Sequence, residues 1–369
     1  MTATLDHDET TEAVPPVARP DGFAGRRRAA GRTRADNYAY LGAFAGSFAT
    51  TWVLYEHVLP FSGKVGFVLC WYLLLIAFTA GITALIAPRH LVADRVASVV
   101  VIGAPAIIGA ALASMVIFTV YRGFHALTHA NFYTHDMSGV GGLDGLSHGG
   151  VLHAIVGTLI EVAIAVAVSL PLGLSTAVYL SEVGGRGSAI VRTIIEAMTA
   201  LPSIVAGLFV YTVLIVDLHF PSSGFAAAMA LSVMGLPIIA RAADVVLRVV
   251  PGGLRDASYA LGAGRWQTVW KVVLPTARPG LATALILGIA RMVGETSPLL
   301  LTTGASTFFN SDPFTNPMNS LPLFVFDAVR SGEPAYVARG YAAATVLLAI
   351  VAILFLIARI VGRERRASR

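Results

Sequence analysis

Eight separate apolar runs, each about as long as a bilayer is thick, leave this chain few folds to adopt. Crossing the hydrocarbon takes roughly 20 apolar residues in a helix that rises 1.5 Å per residue. The runs fall at 37–59, 64–87, 97–120, 152–180, 193–217, 225–249, 278–302 and 339–361. The expected fold class is therefore all-α, a polytopic membrane protein with about eight transmembrane helices. Charge agrees with this. Only 13% of the residues are Asp, Glu, Lys or Arg and 56% are hydrophobic, whereas soluble domains carry about 25% charge. No segment remains that is long enough to form a soluble catalytic domain.

The basic residues orient the spans. Residues 1–36 are polar, acidic first (Asp6, Asp8, Glu9, Glu12) and then basic (Arg26, Arg27, Arg28, Arg32, Arg34), and read as a disordered tail. A cleaved signal peptide does not fit, because the first apolar run is too long and too far from the start. With that tail inside, Lys64, Arg122, Arg330 and Arg339 lie outside, Arg291 lies within a span, and the other 21 of the 26 lysines and arginines lie inside. Such an asymmetry puts both termini, including the basic tail 363–369, in the cytoplasm of a cell whose plasma (inner) membrane holds the protein. The net charge of +5 is accounted for by this topology and does not point to nucleic acid; lipid is the expected surroundings. Cys70 is the one cysteine, so no internal disulfide is available.

Two loops on the outer side are long, 121–151 and 303–338, and one cytoplasmic loop, 250–277, is long and patterned. Pro171 and Gly173, Pro202 and Gly207, and Gly235 and Pro237 punctuate the fourth, fifth and sixth spans. Ordinary kinks at packing contacts and helix breaks lining a cavity are both compatible with such positions. Their concentration in 152–302 locates the functional bundle there.

Four groups of residues carry chemistry. In the apolar seventh span, Arg291 and Glu295 are four apart and share one helix face. Charges at that depth are costly and usually face a pathway or one another. A guanidinium offers two parallel donors to the oxygens of a tetrahedral anion; Glu295 would hold it until an anion arrives, and Thr296 and Ser297 add hydroxyls. A structural ion pair locking two helices fits the same residues. Arg241, Asp244 and Arg248 line one side of the sixth span near its inner end. They read either as a second anion contact, with Arg241 the participant and Glu196 a candidate counter-ion, or as an interfacial salt network. Glu161 is a carboxylate inside the fourth span with no assigned role. His125, His129, His135, His148 and His153 gather in or beside the first outer loop, but their spacing matches no metal-binding pattern and no metal site is expected.

The cytoplasmic loop is the most specific signal. It reads Asp256-Ala257-Ser258, three residues, Gly262, nine residues, Val272, one residue, Leu274-Pro275. Asp256 suits a helix N-terminus, Ala257, Ala260, Leu261 and Ala263 make a compact apolar face, Gly262 permits a sharp exit, and Pro275 ends the segment. The loop resembles the coupling loop of ABC importer permeases, pattern E-A-A, x3, G, x9, I, x, L-P, with aspartate, serine and valine at 256, 258 and 272. The run from Arg291 to Pro298, R-x-x-G-E-T-x-P, resembles the phosphate-specific, PstA-type branch of that family. So do Leu201-Pro202-Ser203-Ile204-Val205-Ala206-Gly207 and Pro237-Ile238-Ile239-Ala240-Arg241.

The resemblance covers about residues 97–369. It implies a type I ABC importer permease core with two extra N-terminal helices: an added pair at 37–96, a flanking helix and outer loop at 97–151, and the permease domain at 152–362. It implies a short coupling helix (Asp256, Ala257, Ala260, Gly262, Leu274, Pro275) docked on a cytoplasmic ATPase, and a phosphate pathway past Arg291, Glu295, Thr296 and Arg241. The implied partners are a PstC-type permease subunit, two copies of a PstB-type ATPase and an extracytoplasmic phosphate-binding protein. The chain contains no GxxxxGK[ST] phosphate loop, so ATP and Mg are expected on the ATPase and no cofactor on this chain, which is not itself an enzyme. A permease for sulfate or molybdate, or an ion-coupled secondary transporter with inverted repeats, are the competing readings.

Overall fold

The computed structural model describes residues 34–58, 63–141 and 143–361. The expected tails at 1–33 and 363–369 lie outside the described residues. Fourteen helices follow one another, and no strand is present among the described residues. They are α1 Arg34–Val53, α2 Lys64–Ile86, α3 Arg89–Leu127, α4 Asn131–Thr134, α5 Leu152–Val178, α6 Arg186–Ala200 and α7 Ser203–Val210. Then come α8 Gly224–Val249, α9 Gly252–Ala260, α10 Arg265–Thr268, α11 Leu274–Val293, α12 Ser297–Thr302, α13 Leu321–Arg330 and α14 Pro334–Val361. Short π-helical turns follow α1, α5, α7 and α10.

Among the described residues, six helices are long and apolar enough to cross a membrane, or seven if the bent pair α6 and α7 counts as one span. The expected count of eight is therefore approximate. The eighth candidate, α1, opens on Arg34, Asp36 and Asn37, which lower its hydropathy and draw the last residues of the expected tail into the helix. Two other spans differ in kind. The fifth is not one rod: it breaks at Leu201-Pro202, and α6 and α7 meet at 104°. The seventh begins earlier and ends earlier than 278–302. It runs Arg265–Val293 through the π turn Val269–Val273, stops at Gly294 and restarts as α12. By contrast, α5 and α8 run straight through Pro171 and Pro237.

The chain divides into two compact units, Met1–Ala111 and Leu112–Arg369. In the first, Phe44, Phe48 and Trp71 pack edge to face between α1 and α2, beside buried Ser47, Thr51, Thr79 and Thr83. In the second, α5 and α8 form the centre. Helix α8 buries Ala226, Ala227, Ala228, Ala230, Ala240 and Ala243. Apolar lipid gives no hydrophobic drive between helices, so small residues that allow close backbone approach supply the packing.

The segment 303–338 is not simply a loop. It carries α13, which buries Leu321, Leu323, Phe324 and Ala328 beside Val151, Ala154, Ala342 and Ala343. Its approach to α5 requires glycine: a Cβ on Gly157 would meet the carbonyl of Asn319. Nor is Arg339 a loop charge. It is fully buried, and its Nη2 donates to the carbonyls of Asp144 (3.2 Å), Gly145 (2.7 Å) and His148 (2.7 Å), tying the 141–151 segment to α14.

Candidate pathway and coupling segment

The break in α6–α7 and the end of α11 face the same recess. This cavity of 710 Å³ is lined by Met198, Thr199 and Leu201 beside the break, Val233, Met234 and Ile238 on α8, Leu287 and Arg291 on α11, and Val351 and Phe355 on α14, among others. Among the described residues, Arg291 is its one charged lining residue. Beyond the break, α7 packs closely on α12. A Cβ on Gly207 of α7 would lie 2.6 Å from Cα of Pro298 in α12, so glycine lets the two short helices flanking the breaks touch.

Arg291 sits in the last turn of α11, and Gly294 closes the helix with its N–H on the Arg291 carbonyl at 3.2 Å. Glu295 therefore lies on the connector and not on the helix face expected for it. The two still pair, Nη2 to Oε1 at 3.5 Å, with the Arg291 side chain 59% exposed and that of Glu295 15%. That is a long contact for an ion pair. The Arg291 side chain lines the recess and is largely exposed. Thr296 follows at the start of α12, half-buried.

Arg241 lies further along α8. A second recess of 590 Å³ shares Thr199, Ile238 and Leu287 with the first and includes Arg241. A third, of 170 Å³, shares Arg241 and adds Arg192, Glu196, Asp244 and Arg248. Asp244 is the hub of this cluster. Its Oδ1 accepts from Arg248 Nε at 2.9 Å, and its Oδ2 lies 3.5 Å from Arg192 Nη1. Glu196 and Arg241 share the cavity, but among the described residues neither forms an ion pair. Arg192 was not singled out in the sequence. Its place four residues before Glu196 on α6 was the available signal.

The patterned segment 250–277 forms α9, a turn, and the foot of the α10–α11 rod. Asp256 is in the middle of α9, whose N-terminal boundary is Pro251; the expectation of a capping aspartate fails because the helix starts one turn earlier, at Gly252. Gly262 has φ +83°. Its N–H bonds to the Tyr259 carbonyl (2.9 Å) and that of Ala263 to the Ser258 carbonyl (3.2 Å), the paired bonds of a Schellman motif with glycine in the left-handed position. Nothing lies within 4 Å of where its Cβ would be, so backbone conformation alone calls for glycine there. Pro275 does not end the segment. It occupies the first turn of α11, directly after the π turn Val269–Val273, and the helical rod continues through it. Leu274 packs on the core around Leu247, Val250 and Val273. The exposed surface is instead made by Ala257 and Ala260 with Leu254, Tyr259, Leu261 and Trp266, the last two 89% and 63% exposed.

Glu161 has a partner that sequence distance conceals. It is fully buried on α5, and its Oε1 lies 3.0 Å from Oγ1 of Thr303, which also bonds the Met318 carbonyl at 2.7 Å. Its Oε2 has no partner among the described residues. The carboxyl thus pins the chain just after α12. A buried polar group stripped of its donor costs about 1–3 kcal/mol. Thr303→Val is accordingly expected to lower the detergent melting temperature, and Glu161→Gln, which keeps the shape and can bond the hydroxyl, to leave it near wild type.

At the same end of the bundle, Asp136 braces two segments. It accepts from the N–H of Phe309 (2.8 Å) and from the N–H and hydroxyl of Ser138. Partial burial pushes its pKa up, but these hydrogen bonds outweigh it and hold the carboxyl below its ordinary range. Of the histidines, His129 Nδ1 contacts the His125 carbonyl at 2.9 Å. Among the described residues no three His, Cys, Asp or Glu side chains converge as metal ligands would.

Residues 169–367 match the family described as binding-protein-dependent transport system inner membrane component. The phosphate transport system permease protein PstA 1 of Mycobacterium tuberculosis is 43% identical over 249 residues, which cover 66% of this chain and 81% of that protein. PstA of Mycobacterium leprae is 40% identical over 63% of this chain and 76% of its own length, and PstA of Yersinia pestis 33% over 59% and 74%. With that coverage added to the matched segment, the chain belongs to the binding-protein-dependent transport system inner membrane components, and among them to the PstA permease proteins.

Proposed function

We propose that this chain forms one half of the membrane pore of an ATP-driven importer of inorganic phosphate. The observation that carries the reading is Arg291, the sole charge among the described residues on the wall of the 710 Å³ recess at the helix break. The names of the relatives support phosphate as the cargo. A guanidinium binds an oxyanion through two parallel hydrogen bonds, and the loose 3.5 Å pairing with Glu295 is one an anion can displace. Thr296 follows on the connector, off the wall of the recess, and would add a hydroxyl from its edge; Arg241, in the neighbouring recess that shares Thr199, Ile238 and Leu287, would receive the anion next. No bond in the cargo changes.

In this reading 37–96 is an added helix pair, 97–151 a flanking helix and loop, and 152–362 the permease domain. Both termini and α9 face the cytoplasm, by the distribution of basic residues. A PstC-type subunit supplies the other half of the pore. Two PstB-type ATPases hold ATP and Mg and dock on the segment containing Asp256, Ala257, Ala260 and Gly262. An extracytoplasmic phosphate-binding protein delivers the anion. Leu274 and Pro275 then belong to the foot of a rod: from Pro275 to Arg291 is roughly 24 Å of helix at 1.5 Å per residue, stiff enough to carry ATPase motion to the pathway in an alternating-access cycle.

Cysteine accessibility tests the pathway. In a Cys70→Ala background, Thr199→Cys and Met234→Cys in the assembled complex are expected to change their labelling rate during ATP turnover, with phosphate slowing it. Labelling indifferent to both ATP and phosphate would remove the recess from the pathway.

A further inference from the structure

One contact near the coupling segment is unlike the others. Arg255, on α9, reaches Glu182, 73 residues earlier, in the π turn Tyr179–Val183 that ends α5. Its Nη2 donates to Oε1 at 2.7 Å and its Nε to Oε2 at 3.2 Å, a two-point clamp. The rest of the guanidinium is also engaged. Nη1 donates to the Val250 carbonyl at 2.7 Å and Nη2 to the Leu247 carbonyl at 3.0 Å, both at the end of α8. The Glu182 side chain is 5% exposed and that of Arg255 19%. One side chain therefore joins the ends of three helices. Only arginine has enough coplanar donors for that set; a lysine ammonium has three donors on one atom and no planar fork to span the carboxylate and both carbonyls.

The surroundings explain why such a joint matters. Helix α9 is nine residues long, too short to hold its place by itself, and its outer face is exposed. Besides the Schellman turn at Gly262, its other side-chain tie is Ser258 Oγ to Thr268 Oγ1 at 2.9 Å, which leads to α10 and the α11 rod. Without Arg255, α9 would push on that rod alone.

We propose that Arg255 and Glu182 are positioning residues for coupling. They lock α9 to the ends of α5 and α8, so that force on α9 moves α5, α8 and α11 as one body. The proposal rests on the reading of α9 as the ATPase-docking segment. It gives a role to two residues that touch neither the cargo nor the exposed face of α9.

The test uses the assembled complex in vesicles with Arg255→Gln, Glu182→Gln and the double variant, measuring phosphate moved per ATP hydrolysed and the melting temperature. Arg255→Gln alone leaves a buried carboxylate unpaired, which is strongly destabilising. Neutralising Glu182 as well is expected to restore the melting temperature. The transport ratio is expected to stay about tenfold low in the double variant, a size typical of coupling mutations. A ratio that returns together with the melting temperature would mean that the pair is merely structural, and an unaltered ratio in Arg255→Gln would also overturn the proposal. A second readout does not depend on the cargo. Spin labels at Ser175→Cys and Gly253→Cys, in a Cys70→Ala background, are expected to hold one distance through the ATP cycle in the otherwise native chain and to spread in the double variant. A distance that stays sharp in the double variant refutes the joint. A native complex that hydrolyses ATP without moving phosphate refutes the phosphate reading only, and the spin-label distances then decide on the joint.

Discussion

Arg291→Ala is expected to abolish ATP-driven phosphate uptake by the assembled complex while leaving the chain folded. Folding should survive because the side chain is 59% exposed in its recess and, among the described residues, its one polar partner is Glu295 at 3.5 Å. Transport should not survive, because each hydrogen bond to a charged group is worth about 1.5–3 kcal/mol. Losing a bidentate pair at that value removes about 100-fold or more of anion affinity at the point where the wall has no other charge. Arg291→Lys keeps the charge without the fork and is expected to fall between the two. Glu295→Gln separates this account from a structural ion pair. As a displaceable counter-ion Glu295 should matter less than Arg291; as half of a lock it should matter as much. Radiolabelled phosphate uptake in vesicles measures all three, and a normal rate in Arg291→Ala removes that residue from the pathway.

The second large effect is expected at the opposite end of the α11 rod. Leu261→Asp, alone or with Trp266→Ala, should abolish co-purification of the ATPase subunit and with it all transport. Leu261 is 89% exposed and Trp266 63%, so their replacement removes little packing from the isolated chain. Exposed apolar side chains of this size become anchors once a partner covers them, and truncating such an anchor costs about 2 kcal/mol or more. A buried aspartate facing an apolar groove adds a desolvation penalty on top. The melting temperature of the isolated chain should therefore stay constant while pull-down of the ATPase fails. Undiminished pull-down would place the docking surface elsewhere.

The parts of this fold that follow local rules could be read from the sequence. Apolar runs longer than 20 residues form helices, and the resemblance of residues 256–275 to a coupling loop implies the short helix, with Gly262 as its exit. The misreadings come from long-range contacts. Pro171, Pro202 and Pro237 look alike locally, yet only Pro202 accompanies a break; whether a proline bends a helix depends on what neighbouring helices fill, as where α12 meets Gly207. Arg339 opens the last apolar run and reads as an outward charge at its end, but carbonyls nearly 200 residues earlier bury it. Helix α13, at ten residues, is too short to signal as a span, so its sequence reads as loop. Glu161 was visible as an anomaly, but Thr303, its partner, lies 142 residues away. Arg291 and Glu295 were found together, while the helix end between them, set by Gly294, was not.

Arg291 in its recess is the centre of this account, and uptake selectivity tests it most directly. In vesicles holding the complete complex with its binding protein, ATP should drive labelled phosphate inward, excess sulfate should leave the rate unchanged, and Arg291→Ala should reduce uptake to background. Equal transport of sulfate, or phosphate uptake that persists in Arg291→Ala, would contradict it.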